Sequence, residues 1–328
     1  MHAEDPIRRV VGVSLNAAID RIVSVPRLEP GRIHRPVQRA MVPGGKAANT
    51  VRAARHLGLP GSLVAVLGGH AGAWYDDAVA AAGIPLHAVT VPSETRTCLS
   101  ILDEEAGTLT ELYEAGVTLR PEDWPMVEVA LAEALADDPQ GAIVVLAGSL
   151  PPGAPPDAYR RLAAQTAGAG ARAVVDIGGD PFAAALEAGP WLVKVNLEEA
   201  DSILGLEGDP DQADAARAVT AARALIRRGA RTAIVTLGID GAVLAEPDWT
   251  WRLGPVPEDA RGAYSVGSGD AFTAGWLAGL AAGDDVVIAL RRAGAAGAAN
   301  AKRPGQGEID PADVAAILPS FRVEPVDR

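Results

Sequence analysis

An α/β fold with a mostly parallel sheet covered by helices on both faces is what this sequence predicts, and two observations predict it. Short, near-continuous apolar runs rich in β-branched residues recur along the chain, each ending in Gly, Asp or Asn. Helical patterns lie between them. Strands that are apolar on both faces and alternate with helices form a three-layer αβα arrangement.

Taken in order, "VVGVSL" (10–15) predicts the first buried strand, and "ANTVRAARHLG" (48–58) a helix stopped by Gly58. "SLVAVLG" (62–68) predicts the next strand. "AIVVLAG" (142–148), "ARAVVDI" (171–177), "WLVKVN" (191–196) and "TAIVTLG" (232–238) predict four more, separated by helical segments around 123–136, 157–167 and 212–228. "GLEGDPDQ" (205–212) predicts surface turns. In such sheets ligands bind beyond the carboxyl ends of the strands, so the polar residues there are the ones to inspect.

Two stretches break the rhythm. Residues 21–41 alternate in character and carry three prolines and five arginines; residues 86–112 contain short strand-like pieces and few helix signals. Both predict a small β element attached to the main sheet. No linker is long enough to divide the 328 residues, so a single domain, 1–328, is expected.

The composition is 48% hydrophobic but only 4% aromatic, so Ala, Val and Leu must fill the core. The net charge of −13 disfavours wholesale binding to nucleic acid or anionic membrane, while leaving room for a local basic pocket. The single cysteine, Cys98, forms no internal disulfide and sits in the strand-like "RTCLSIL", where a small packed residue is the plain reading. With no signal core and no long apolar run, a cytoplasmic protein is expected. The five histidines show no ligand spacing.

Two Gly-rich turns precede helices. "GGKA" (44–47) fails as a P-loop because Ala47 is neither Ser nor Thr, and "GSGDAF" (267–272) fails as a dinucleotide fingerprint because Phe272 stands in the third Gly position. What "VGSGD" does supply is a tight turn whose N–H groups point one way, at the positive end of the helix expected from "AFTAGWLAGLAAG" (271–283). That makes an anion cradle. Asp270 at its mouth is either a helix cap or a base for a hydroxyl proton.

The chain resembles the ribokinase-like (PfkB-type) sugar kinases, and among them the 1-phosphofructokinase and tagatose-6-phosphate kinase branch. Seven segments carry the resemblance in order: "VSLNAAID" (13–20), "GGKAAN" (44–49), "TRTCLSILDEEAGTLTELYEAG" (95–116), "AGSLPPG" (147–153), "KVNLEEAD" (194–201), "TLGIDGA" (236–242) and "VGSGDAF" (266–272). The resemblance implies a ribokinase-like fold with a β lid at about 21–41 and 86–112, and a homodimer formed through that lid. It implies ATP and Mg²⁺ as cofactors and a sugar phosphate as substrate. Asp270 would be the catalytic base, with Gly267, Ser268 and Gly269 forming the anion hole. Lys194, Asn196, Glu199, Thr236, Gly238 and Gly241 would line the nucleotide site, Asn196 and Glu199 holding Mg²⁺ through water. Asp20, Gly44, Gly45 and Asn49 would bind sugar hydroxyls; Lys46, Arg96 and Arg32 would hold the substrate's own phosphate. Ala17, Ala47 and Val195 depart from the family pattern, and "GDAF" is a ribokinase-type ending. A kinase of an unphosphorylated sugar or nucleoside, and a non-catalytic sensor, are the alternatives.

Overall fold

The computed structural model describes residues 5–205 and 213–326. Its main sheet has ten strands in the order β14-β13-β12-β11-β10-β9-β8-β1-β4-β5. The parallel part contains β1 (Arg9–Ser14), β4 (Gly61–Gly68), β5 (Leu86–Val91), β8 (Ala142–Ala147), β9 (Arg172–Asp176), β10 (Leu192–Asn196) and β11 (Thr232–Thr236). Strands β12 (Ala242–Ala245), β13 (Thr250–Leu253) and β14 (Val323–Pro325) extend it antiparallel. The alternation seen in the sequence is therefore a real three-layer sandwich.

The inner strands feed two cores. In β8, Ile143 and Val145 pack into one apolar cluster while Val144 and Leu146 pack into the other, so the run reads as continuously apolar. On the first face lie α1 (Lys46–His56), α2 (Gly69–Ala81), α8 (Ser268–Ala281), α9 (Val286–Ala301) and α10 (Pro311–Ile317), supplying Val51, Tyr75, Trp276, Leu290 and Val314. On the other lie α3 (Trp124–Leu135), α4 (Ala158–Gly168), α5 (Pro181–Glu187), α6 (Leu197–Leu204) and α7 (Asp214–Arg227), supplying Leu131, Leu162, Phe182, Leu204 and Leu225. Low aromatic content is met by close approach of small residues. A Cβ at Gly12 of β1 would lie 2.8 Å from Val51 Cγ2 and 2.9 Å from the Ala47 carbonyl of α1. Gly12→Ala is accordingly expected to cost about 1–3 kcal/mol through overpacking, read as a lower urea midpoint.

A second sheet, ordered β3-β2-β6-β7, forms the lid from β2 (Ala18–Val25), β3 (Gln38–Gly44), β6 (Arg96–Asp103) and β7 (Thr108–Tyr113). The β segment expected at 86–112 is divided: residues 86–91 are an edge strand of the main sheet, paired parallel with β4, and only the part from Arg96 onward joins the lid. Between β2 and β3, residues 26–37 run as an irregular connection. The turns expected at 205–212 lie mostly outside the described residues; Gly205 itself is the left-handed cap of α6.

Candidate active site

The carboxyl ends of β1, β8, β9, β10 and β11 and the inner face of the lid enclose a polar cavity of about 610 Å³. A second, mainly apolar cavity of about 260 Å³ adjoins it, and Thr236 and Gly269 line both. The boundary between them is the N-terminus of α8.

The helix starts earlier than the apolar run suggests. Gly267 is the N-cap, with φ +82°, so Asp270 is the third residue of the first turn and caps nothing. Of the two roles open to Asp270 in the sequence, the structure removes the cap. The left-handed Gly267 is also sterically required, because a Cβ there would lie 2.8 Å from Gln306 Cβ. The Asp270 carboxylate is 6% exposed and accepts one hydrogen bond, from Asn49 Nδ2 at 2.9 Å. Burial, and then the negative charge of Asp176, push its pKa up to about 7; Lys194 and the Asn49 amide oppose the rise. Asn300, fully buried, holds the turn in shape: its amide donates to the Val266 carbonyl at 2.8 Å and to Ser268 Oγ at 3.3 Å.

Asp176 was not singled out in the sequence, although it ends the apolar run "AVVD" at the carboxyl edge of β9. It is 2% exposed and joins two lysines: Lys194 Nζ at 2.6 Å and Lys46 Nζ at 3.1 Å. The two ammonium groups overcome its burial and hold its pKa down at about 2. Lys194 also reaches the anion cradle, since a Cβ at Gly269 would lie 3.0 Å from its Nζ. Lys46 has Glu199 Oε1 at 3.7 Å as well, and Asp176 above all raises its pKa. The structure therefore places Lys46 among the carboxylates of Asp176, Glu199 and Asp270, on the wall of the polar cavity.

Asn196 and Glu199 turn out to share a structural task. Asn196 caps α6, its Oδ1 accepting from Glu199 N at 2.7 Å, while Glu199 Oε2 accepts from Asn196 N at 3.0 Å. This capping box explains the Asn-x-x-Glu spacing. It leaves Glu199 Oε1 on the cavity side, facing Lys46. Among the described residues no group of three or more His, Cys, Asp or Glu could cage a metal. One cavity-facing carboxylate oxygen fits Mg²⁺, which keeps several waters and takes further oxygens from substrate phosphates.

On the lid side, Asp20 is 6% exposed and lines the cavity. Burial lifts its pKa to about 6, against Arg52 and the Gly45 N–H. Gly44 permits that placement: a Cβ there would overlap the Asp20 carboxyl, at 2.1 Å from its carbon. Gly45 has φ +99°, and both Gly45 and Asn49 line the cavity. Arg96 lines it too, donating to the Asn16 carbonyl at 3.1 Å, with its buried Nε lacking a partner. Arg32 and Gly44 line neither cavity, but Gly44 abuts Asp20 whereas Arg32 lies away from the site. It sits on the 26–37 connection with its side chain 75% exposed, 3.9 Å from Glu29, and does not line the cavity. Cys98 packs beside Asp20 in the lid wall, where burial pushes its thiol up to about 11, so it is a packed residue and not a nucleophile. Gly238 and Gly241 fall on the short 3₁₀ turn after β11 and line the apolar cavity with Ser268. Besides Asp176, the sequence reading passed over Asn16, Arg52 and Gln306. An arginine on the apolar side of an Ala-rich helix was the available signal for Arg52.

Residues 10–313 match the pfkB family carbohydrate kinase model. The chain belongs to the pfkB family of carbohydrate kinases. The chain is 35% identical over 277 residues to a 1-phosphofructokinase of Xanthomonas campestris pv. campestris, covering 83% of this chain and 84% of that protein. It is 33% identical to a 1-phosphofructokinase of Rhodobacter capsulatus, covering 87% and 88%. The fold superposes on Escherichia coli phosphofructokinase-2 in complex with potassium with a TM-score of 0.84 and 26% identity, over 96% of this chain and 99% of that one. No helix among the described residues is long and apolar enough to cross a membrane.

Proposed function

We propose that this kinase transfers the γ-phosphoryl group of ATP to a hydroxyl of a phosphorylated ketohexose, of the fructose 1-phosphate or tagatose 6-phosphate type. The observation that carries the reading is Asp270: a buried carboxylate lifted to about 7, with one oxygen held by Asn49, at the positive end of α8 where a polar and an apolar cavity meet. A base with that affinity accepts a hydroxyl proton near neutral pH. The Gly267–Gly269 turn and Lys194 stabilise charge on the phosphoryl group as it moves. The adenine side of ATP fits the apolar cavity lined by Gly238 and Gly241. Glu199, locked by Asn196, would hold Mg²⁺ through water, and the metal would supply charge neutralisation to the phosphates. Asp20 and Gly45 bind sugar hydroxyls.

Arg96 is the candidate for the acceptor's own phosphate, because it lines the polar cavity and has an unused buried N–H. The names of the two bacterial relatives favour fructose 1-phosphate. Coupled ADP release across a panel of sugars and sugar phosphates tests this. Activity confined to unphosphorylated sugars overturns the phosphosugar assignment. Arg96→Ala is expected to raise the KM for the sugar phosphate roughly 10-fold or more, with kcat changed far less, since a charge-assisted contact away from the reacting atoms is lost.

The outer face of the lid supports a homodimer. Met41, Leu99 and Leu112 flank Arg21 in one cross-strand row, and Met41 and Leu112 are exposed.

A further inference from the structure

The base is held by a residue that is itself held. Asn49 Nδ2 donates to Asp270 Oδ2 at 2.9 Å, and the same amide lies against Asp20, whose pKa it helps to lower. Behind it, Arg52 Nη1 points at Asn49 Oδ1, 3.3 Å away. A guanidinium has donors only, and an ionised carboxylate accepts only. With Arg52 on one side and two carboxylates on the other, the Asn49 amide has one satisfactory orientation.

Arg52 is 6% exposed, and its other N–H groups are engaged on different parts of the site. One nitrogen donates to the Pro43 carbonyl in the lid strand β3, and Nη1 also donates to the Gln306 carbonyl, on the segment that packs against Gly267. Nε lies 3.3 Å from Glu308 Oε1, whose other oxygen is 3.3 Å from His56 Nε2.

We infer that Arg52 is a positioning residue: it aims the Asn49 amide at Asp20 and Asp270, and its grip on Pro43 and Gln306 ties that aim to the lid strand and to the segment behind the anion cradle. A planar fork is needed for this, because one compact ammonium cannot serve three carbonyl oxygens in different directions. The kinetic consequence rests on Asp270 acting as the base of the proposed reaction. The structural consequence does not.

The test uses the ligand-free protein first. The Asp270 carboxyl is titrated by ¹³C NMR in the wild type, Arg52→Lys, Asn49→Ala and the double variant. Asp270 also faces Asp176, Lys194 and Lys46, which none of these variants removes. Arg52→Lys is expected to raise the Asp270 midpoint by about half a pH unit or more, since the amide donor is no longer aimed. Asn49→Ala should do the same, and the double variant should add little to either. Arg52→Met, of similar length and without a donor, is the second variant. Glu308→Gln should lower thermal stability without moving the titration. An unmoved midpoint in Arg52→Lys, shifts that add in the double variant, or an equal shift in Glu308→Gln each overturns the inference. Loss of the native fold in both Arg52 variants assigns Arg52 to the scaffold and also overturns it. In the ADP-release assay, kcat should fall about 10-fold or more in Arg52→Lys, with its acid limb moved up in pH. Absence of turnover in the wild type would sink the proposed reaction and leave the titration result standing.

Discussion

Asp270→Asn is expected to lower turnover by roughly 10²-fold or more, the scale of losing a general base, while ATP binding stays largely intact. The same change should make the protein more stable at pH 8. The Asp270 pKa is raised from 3.8 to about 7 in the folded chain. A carboxyl raised on folding favours the folded state fully below its unfolded pKa, and that contribution is lost as pH rises through about 7. Above pH 7 the site therefore carries an unfavourable buried charge. Removing it is worth up to roughly 4 kcal/mol, taking three pKa units at about 1.4 kcal/mol each. Melting temperatures measured at pH 4 and pH 8 check the sign: the variant gains on the wild type only at the higher pH. In the wild type, kcat should rise with pH through a midpoint near 7 as the base ionises. A pH-independent kcat between 5 and 8 would remove Asp270 from the role of base.

Asp176→Asn should act in the opposite direction on stability. Asp176 is equally buried, but its pKa is held down at about 2 by Lys194 and Lys46. A carboxyl lowered on folding contributes stability above its unfolded pKa near 3.8, lost as pH falls through about 2. Neutralising it leaves the Lys194 ammonium, 7% exposed, without its partner. Breaking a buried pair from one side costs about 3–5 kcal/mol, or on the order of 5–10 °C in Tm. The deficit should persist from pH 8 down to about 4 and narrow only in stronger acid. Activity should suffer as well, because both lysines lose the carboxylate that anchors them on the cavity wall. Since the Asp176 charge helps raise the Asp270 pKa, any residual kcat should show its acid limb at lower pH. Wild-type thermal stability in Asp176→Asn would contradict the ion-pair account.

Two buried carboxylates in one site thus have opposite effects on stability. Lys194 and Lys46 grip the first, and the second is left nearly bare for a proton.

Much of this was legible in the residues. The strands at 10–15, 62–68, 142–148, 171–177, 191–196 and 232–238 recur within one or two residues, apart from 237–238, which turn away after β11. The signal survived because a strand buried on both faces leaves a continuous apolar run that few other structures produce. The glycine turns at 44–45 and 267–269 were equally clear, since a positive φ or a close approach leaves little alternative to Gly. The helix from Gly69 to Ala81 went unread: its buried side consists of only Gly72, Tyr75 and Val79, too sparse an apolar stripe to stand out in the sequence. The edge strand at 86–91 was grouped with the lid, because local alternation carries no information about which sheet a strand joins.

By itself the sequence determined the α/β class, the two Gly-rich turns and the position of Asp270 at a helix mouth. Those features are local, set by residues a few positions apart. Only the tertiary structure decided that Asp270 is no cap, that Asp176 binds two lysines, that Lys46 lies among three carboxylates on the cavity wall, and that Arg32 stands outside that cavity. Each of these depends on contacts between elements far apart in the chain, such as Asn49 with Asp270 and Lys46 with Asp176. The charge state of a buried group is set by those neighbours, and sequence spacing does not record them.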